Sequence, residues 1–217
     1  MFFAFLGSSR LRVTGCMFFA LCFNILMIKT MILFYWFLLG ICIVIMIIVG
    51  MIQFSNLFAL LRTKGVPYVP LFGYQLRYLK KFIKFDNPNI KLVDLGSGDG
   101  RVLRVFEKMG IKDITGYEIN WWAHFKGCCL KRIKKSHVKL CLKNFHRINL
   151  SEYDVVFCYL LDTALKRLRE KFDQELKPGS RIISYAFQIP DWHEPDQIIV
   201  PNEKHPGRDR IYIYDIK

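Results

Sequence analysis

Leu92-Val93-Asp94-Leu95-Gly96-Ser97-Gly98-Asp99-Gly100-Arg101 is the stretch that decides the fold. An apolar run ends in a glycine-rich turn, and the turn opens a helical pattern. Gly96 and Gly98 permit a tight turn and a close approach of backbone to a ligand, and the helix that follows offers unpaired N–H groups and a partial positive charge. A dinucleotide turn wants G-x-G-x-x-G. Here Gly96, Gly98 and Gly100 alternate, and Arg101 occupies the third glycine's place. Asp94, two residues before the turn, suits a ligand carrying an ammonium group better than one carrying a pyrophosphate.

About 20 positions on, Gly116-Tyr117-Glu118-Ile119-Asn120 ends a second apolar run in a carboxylate, placed to accept both hydroxyls of a ribose. Turn, spacing and terminal Glu118 together point to an adenosyl ligand with an amino-acid end, S-adenosylmethionine. The candidate cofactor-binding residues are Asp94, Gly96, Ser97, Gly98, Gly100 and Glu118. Asn144 and Phe145 follow the third run, where an amide would bond the adenine edge and a ring would pack on its face.

Around this motif the pattern alternates. Strands are expected at Ile90 to Leu95, Asp113 to Glu118, Val138 to Leu142, Tyr153 to Tyr159 and Arg181 to Phe187. Helices are expected at 101–109, 122–135 and 163–176, the last stopped by Lys177-Pro178-Gly179. Strand-like runs at 197–200 and 210–216 close the chain. The order predicts an α/β domain over 90–217 with a Rossmann-like, seven-stranded, mostly parallel sheet. Before it, residues 62–89 form a basic linker and a helix from Leu71, in which Phe72, Leu76, Leu79 and Ile83 share one face and Arg77, Lys80, Lys81 and Lys84 form a stripe.

The N-terminal part is of another kind. Apolar residues make up 53% of the 217, and the net charge is +14, yet no acid precedes Asp86 and only Arg10, Arg12 and Lys29 are charged before Arg62. Met31 to Ile52 carries no charge and as a helix reaches roughly 33 Å, the thickness of a bilayer core. Because apolar sequence continues past Ile52 with no small-residue cleavage site, an uncleaved transmembrane anchor at 31–61 is preferred to a signal peptide. Residues 1–30 hold a second apolar run, 13–28, readable as an extra span in a hairpin or as sequence upstream of a later start at Met27 or Met31. Arg62, Lys64, Arg77, Lys80, Lys81 and Lys84 on the C-terminal flank place the domain on the cytoplasmic side of the membrane, single- or double-pass, with the stripe toward anionic lipid headgroups. Seven scattered cysteines, none in C-x-x-C spacing, fit a reducing compartment, and no metal site is expected.

Val66-Pro67-Tyr68-Val69-Pro70, the glycine stretch and Gly116-Tyr117-Glu118-Ile119-Asn120, with Ser180-Arg181-Ile182-Ile183-Ser184, Phe187, Pro190 and Trp192, resemble a known group. These are the seven-β-strand (class I) methyltransferases that modify lysines of the ATP synthase c-ring protein and of the adenine nucleotide translocase. Cys158-Tyr159-Leu160-Leu161 is closer to prokaryotic members. The resemblance covers about residues 60–195. It implies protein-lysine methylation on membrane-embedded targets and puts Tyr68 near the mouth of the site. The chain departs from the family pattern at Leu71, where the family has Thr, at Trp121, where it has Pro, and at Asn144, where it has an acid.

Methyl transfer from a sulfonium is an in-line displacement that needs alignment and exclusion of water rather than a dedicated base. The five histidines share no spacing that nominates one. Tyr159, at the end of the fourth strand, is the first candidate to line the transfer site, with Tyr68 and Trp192 behind it. A nucleic-acid substrate is disfavoured despite the charge, because the anchor tethers the domain and no Asn-Pro-Pro-Tyr-type motif follows the fourth strand. Three functions stay open: a protein-lysine methyltransferase, a methyltransferase of a lipid, quinone or other small molecule, and a non-catalytic adenosyl-binding scaffold.

Overall fold

A computed structural model describes residues 7–62, 69–202 and 209–217. The chain divides into two compact units, Met1–Ile52 and Gln53–Lys217. The first is helical throughout its described part and belongs to α1 (Gly7–Arg62). That helix includes Phe23–Phe58, long and apolar enough to cross a membrane. Residues 13–28 and 31–52 lie on it with no turn between them.

The second unit carries α2 (Gly73–Phe82), β1 (Lys91–Leu95), α3 (Arg101–Lys108), β2 (Asp113–Glu118), α4 (Trp121–Ile133), β3 (Lys139–Leu142), β4 (Val155–Cys158), α5 (Asp162–Glu175), β5 (Arg181–Tyr185), β6 (Gln197–Ile199) and β7 (Ile211–Asp215). The seven strands form one sheet in the order β3-β2-β1-β4-β5-β7-β6. β1 to β5 run parallel, while β7 is antiparallel to both β5 and β6. The Rossmann-like expectation of a seven-stranded, mostly parallel sheet holds.

Strand register divides the residues into two faces. Leu92, Val155, Phe157, Ile183, Tyr185 and Ile211 pack on one face with Leu79 of α2 and Val102, Leu103 and Phe106 of α3. Val93, Leu95, Val156, Ile182 and Tyr214 pack with Leu165, Leu168 and Phe172 of α5 on the other. The central strands read as near-continuous apolar runs because both faces are covered.

The helix before the sheet starts later than its periodicity implied. Phe72 is its N-cap in extended conformation, and its N–H donates to Oε1 of Gln75 at 2.8 Å. The Phe72 ring therefore leaves the apolar face and is 59% exposed, stacked on Tyr74, while Leu79 and Ile83 are buried.

Candidate active site

The site is built at the carboxyl ends of β1, β2, β4 and β5. Gly96, Gly98 and Gly100 all take positive φ (87°, 56° and 72°), which winds the chain off β1 into α3 at no steric cost. The turn is tied down by Gly96 and Ser97, whose N–H groups both donate to the carbonyl of Tyr117 at the end of β2. That brings Ser97 so close to β2 that a Cβ at Gly116 would lie 2.6 Å from the Ser97 Cβ and 2.5 Å from Leu103 Cδ1. Only a glycine fits at 116.

Asp94 and Gly116 pair in register, so Asp94 and Glu118 rise on the same face. Asp94 is 2% exposed, and no cation among the described residues pairs with it. Burial, with a contribution from the Glu118 charge, holds its carboxyl well above the usual carboxylate range. Glu118 is buried too. Its Oε2 accepts from Gly98 N–H at 2.7 Å, and its Oε1 accepts from Ile119 and Asn120 N–H at 2.8 and 2.7 Å. Burial raises Glu118, and these three donors only partly offset it. Two buried acids side by side need a cation or hydroxyl donors from outside. The Ser97 hydroxyl, packed against Gly116, also lacks a hydrogen-bond partner among the described residues.

Next to this pair, the buried Asp99 is satisfied internally. Burial works to raise its carboxyl, but the Arg101 guanidinium, helped by Lys126 and Arg104, holds it below its ordinary value. Arg101 also donates through Nη1 to the carbonyl of Leu71 at 2.8 Å. Val69, Pro70 and Leu71 therefore wall the same cleft as Asp94, Gly96, Ser97, Gly98 and Tyr159. Asp99 and Arg101 both stand in the glycine stretch, yet their residue types gave no sign that they brace the cleft rather than face solvent.

Tyr159 follows β4 and lines this cleft. Its ring meets Tyr185 edge-on at 5.7 Å and stacks on Phe187 at 6.4 Å. Ala186, at φ 70°, reverses the chain after β5, and the Ser184 hydroxyl holds the Phe187 carbonyl at 2.6 Å.

Two expectations, those for Trp192 and Phe145, come out differently. Trp192 does not reach the cleft. It lies far down α5, where its indole donates to Asp173 at 2.9 Å and packs against Phe172 and Tyr214, because residues 188–196 run back along the opposite sheet face. Phe145 is a core side chain, buried among Ile148, Leu150 and Leu168 rather than open to a ring. Asn144 uses its Oδ1 to cap a single 3-10 turn, Phe145–Arg147, by accepting from His146 N–H at 2.9 Å. Tyr68 lies outside the described residues.

A second network borders Glu118. Asn120 is buried and caps α4 by accepting from Trp122 and Ala123 N–H at 3.0 and 3.1 Å. The Ser55 hydroxyl donates to the same Asn120 oxygen at 2.8 Å, and Asn120 Nδ2 donates to Asn56 at 2.9 Å. Trp121 is the first residue of α4, a position that proline, the family's residue there, also suits. No sequence signal singled out Ser55, a polar residue in an apolar run.

This sheet order, the glycine turn and the two acids on one face define a class I S-adenosylmethionine-dependent methyltransferase. A family model described as the ANTKMT methyltransferase domain matches residues 94–197. The protein-lysine N-methyltransferase of Saccharolobus islandicus is 32% identical over 156 residues, covering 70% of this chain and 94% of that protein. The adenine nucleotide translocase lysine N-methyltransferase of Mus musculus is 30% identical over 159 residues, 70% of this chain and 63% of that one. Among solved structures, an RNA methyltransferase from Salinibacter ruber in complex with S-adenosyl-L-homocysteine superposes with a TM-score of 0.59 at 26% identity, over 68% of this chain and 94% of that one. The chain belongs to the ANTKMT methyltransferase family.

Proposed function

We propose that the protein is a membrane-anchored methyltransferase that modifies lysine side chains of a membrane protein. The observation that carries the lysine assignment is its 32% identity with the Saccharolobus protein-lysine enzyme across 94% of that protein. In this reading Asp94 pairs with the methionyl ammonium, Gly96, Ser97, Gly98 and Gly100 form the cradle, and Glu118 takes the ribose hydroxyls. Asn144, its Oδ1 engaged by His146 N–H, has its amide nitrogen left for the adenine edge. The buried, unpaired Asp94 and the unpartnered Ser97 hydroxyl fit a cationic, hydrogen-bonding ligand.

When bound, S-adenosylmethionine supplies an electrophilic methyl group on a sulfonium. The chain's part is to fix the donor against Asp94 and Glu118 and to keep water out with Tyr159, Pro70 and Leu71. It also holds the incoming amine in line with the methyl group.

Membrane anchoring rests on Phe23–Phe58, whose large side chains are broadly exposed. It is supported by α2, where Phe72, Tyr74, Tyr78 and Phe82 form a ladder of rings with centroid spacings of 6.1, 5.8 and 6.3 Å. Arg77, Lys80, Lys81 and Lys84 lie exposed beside them, a composition suited to the interfacial region and anionic headgroups on the cytoplasmic side. On this reading 31–61 is the anchor, 62–89 the basic linker and 90–217 the catalytic domain.

The test is transfer of radiolabelled methyl from S-adenosylmethionine to host membranes by the wild type and by Glu118→Ala, with protein, lipid and RNA separated. Label in a discrete protein band, recovered as methyl-lysine and lost in the variant, supports the proposal. Label in lipid or RNA overturns the lysine assignment, and cofactor binding without label overturns the enzyme reading of the site.

A further inference from the structure

One buried carboxylate at the cleft edge belongs to no motif. Asp209 precedes β7, whose first residue, Ile211, pairs with Tyr185 at the carboxyl end of β5. The antiparallel return of β7 therefore delivers Asp209 to the edge where Tyr159 stands. Its side chain is 5% exposed. Two donors from different elements converge on one of its oxygens, Oδ1: Gln75 Nε2 of α2 at 2.8 Å and the Tyr185 hydroxyl at 3.1 Å. Both donors are neutral.

Around this carboxylate stand rings. Tyr185 bonds it directly, Tyr159 meets Tyr185 edge-on, and Phe187 stacks on Tyr159. The carboxylate's field reaches Tyr159, whose phenol is raised first by burial and then by Asp209 and Tyr74. Aromatic walls with a buried carboxylate behind them recognise an alkylammonium group, by ring quadrupole and by charge. Among the described residues only these two neutral donors bond the buried carboxylate, an arrangement whose cost a cationic partner offsets.

The sheet order separates the roles. Asp94 and Glu118 come from β1 and β2, whereas Tyr159, Tyr185 and Asp209 come from the neighbouring side, at β4, β5 and β7. We propose that Tyr159, Tyr185, Phe187 and Asp209 form the acceptor site, with Asp209 as the positioning group for the lysyl nitrogen; this rests on the lysine reading above. The amine, after releasing a proton to water, takes the methyl group. The electron pair of the breaking S–CH3 bond stays on sulfur, and positive charge moves onto nitrogen. A fixed carboxylate near that nitrogen favours both the arriving cation and the charge that develops during transfer.

The test uses the full-length protein in detergent with labelled S-adenosylmethionine and host membranes. n-Butylamine, the lysine side chain without its backbone, is the competitor, and Asp209→Asn is the variant. Asparagine keeps an oxygen for Gln75 and Tyr185 and removes only the charge. Expected are competition by n-butylamine in the wild type and a roughly tenfold or greater weakening of that competition in the variant. Cofactor Kd should stay within about twofold and the melting temperature should hold. Equal competition in both proteins, or none in the wild type, overturns the proposal. So does a variant that loses cofactor affinity and stability together, since Asp209 would then be only a strut between α2 and β5. Failure of the lysine reading shows separately, as label outside the protein fraction in both proteins.

Discussion

Asp94→Asn should move two properties in opposite directions. The wild-type carboxyl is almost wholly buried, faces Glu118 and has no cation among the described residues. Its folded pKa is raised above the unfolded value of about 4. The sign follows: its contribution to stability is fully present below about pH 4 and is lost as pH rises through the raised folded value. The cofactor-free wild type should therefore lose stability as pH climbs above about 4 and through the raised folded value, and the Asn variant should lose less. Glu118, raised in the same direction, keeps part of the slope in the variant. Binding works the other way. An ammonium beside Asp94 favours the ionised carboxylate, so wild-type cofactor affinity should rise over the same pH range. Removing the charge forfeits a charge-assisted hydrogen bond of about 1.5–3 kcal/mol, or roughly 10- to 150-fold in Kd. Titration calorimetry across that pH range, with thermal melts without cofactor, measures both. A variant that binds as tightly as wild type refutes the assignment of Asp94 to the ammonium. A variant that melts lower without cofactor, at neutral pH, refutes the claim that its burial is a cost the ligand offsets.

Three further outcomes follow from the geometry. Gly116→Ala places a Cβ within 2.6 Å of Ser97, so the turn must move by about 1 Å; a loss of about 1–3 kcal/mol, or roughly 2–12 °C in melting temperature, should come with weaker cofactor binding by calorimetry. Asn120→Ala removes the α4 cap and both bonds to the Ser55–Asn56 pair; it should cost about 1–3 kcal/mol in denaturant melts, and Ser55→Ala about 1 kcal/mol. Arg101→Ala frees the Leu71 carbonyl and leaves Asp99 buried with less compensation; turnover measured by label transfer should fall, and cleavage by a protease near residues 69–71 should rise.

Much of this was legible because the sheet is buried on both faces. Asp113–Glu118 stands as the strand its composition marked, and the glycine turn and Glu118 sit together because their spacing is a property of one β-turn-α-β unit. Chain direction was less legible. Pattern places Trp192 after β5 but cannot say that residues 188–196 double back along α5, a path set by contacts with Asp173 and Tyr214. Phe145 follows a strand end, yet which way its ring turns depends on the Asn144 cap and on the core of Ile148, Leu150 and Leu168. Asp209 was invisible, since its neighbours, Gln75 and Tyr185, lie 134 and 24 residues away in the chain.

The parts of the chain that shape each half of the cleft differ in how freely they can vary. The cofactor half is closed on itself: Gly116 must be bare because Ser97 lies over it, Ser97 lies there because Tyr117 holds its N–H, and Glu118 holds Gly98. A change in any one disturbs the others, so this half tolerates little variation. The acceptor half is assembled from α2, the turn at Ala186 and Asp209 ahead of β7, joined by the side-chain bonds of Asp209 to Gln75 and Tyr185. The Arg101 bond to Leu71 ties these pieces to the glycine turn. They can therefore be reshaped for a new acceptor while the methyl donor stays in place. Selectivity among lysines should accordingly respond to changes in α2 and at 186–187 that leave cofactor affinity untouched.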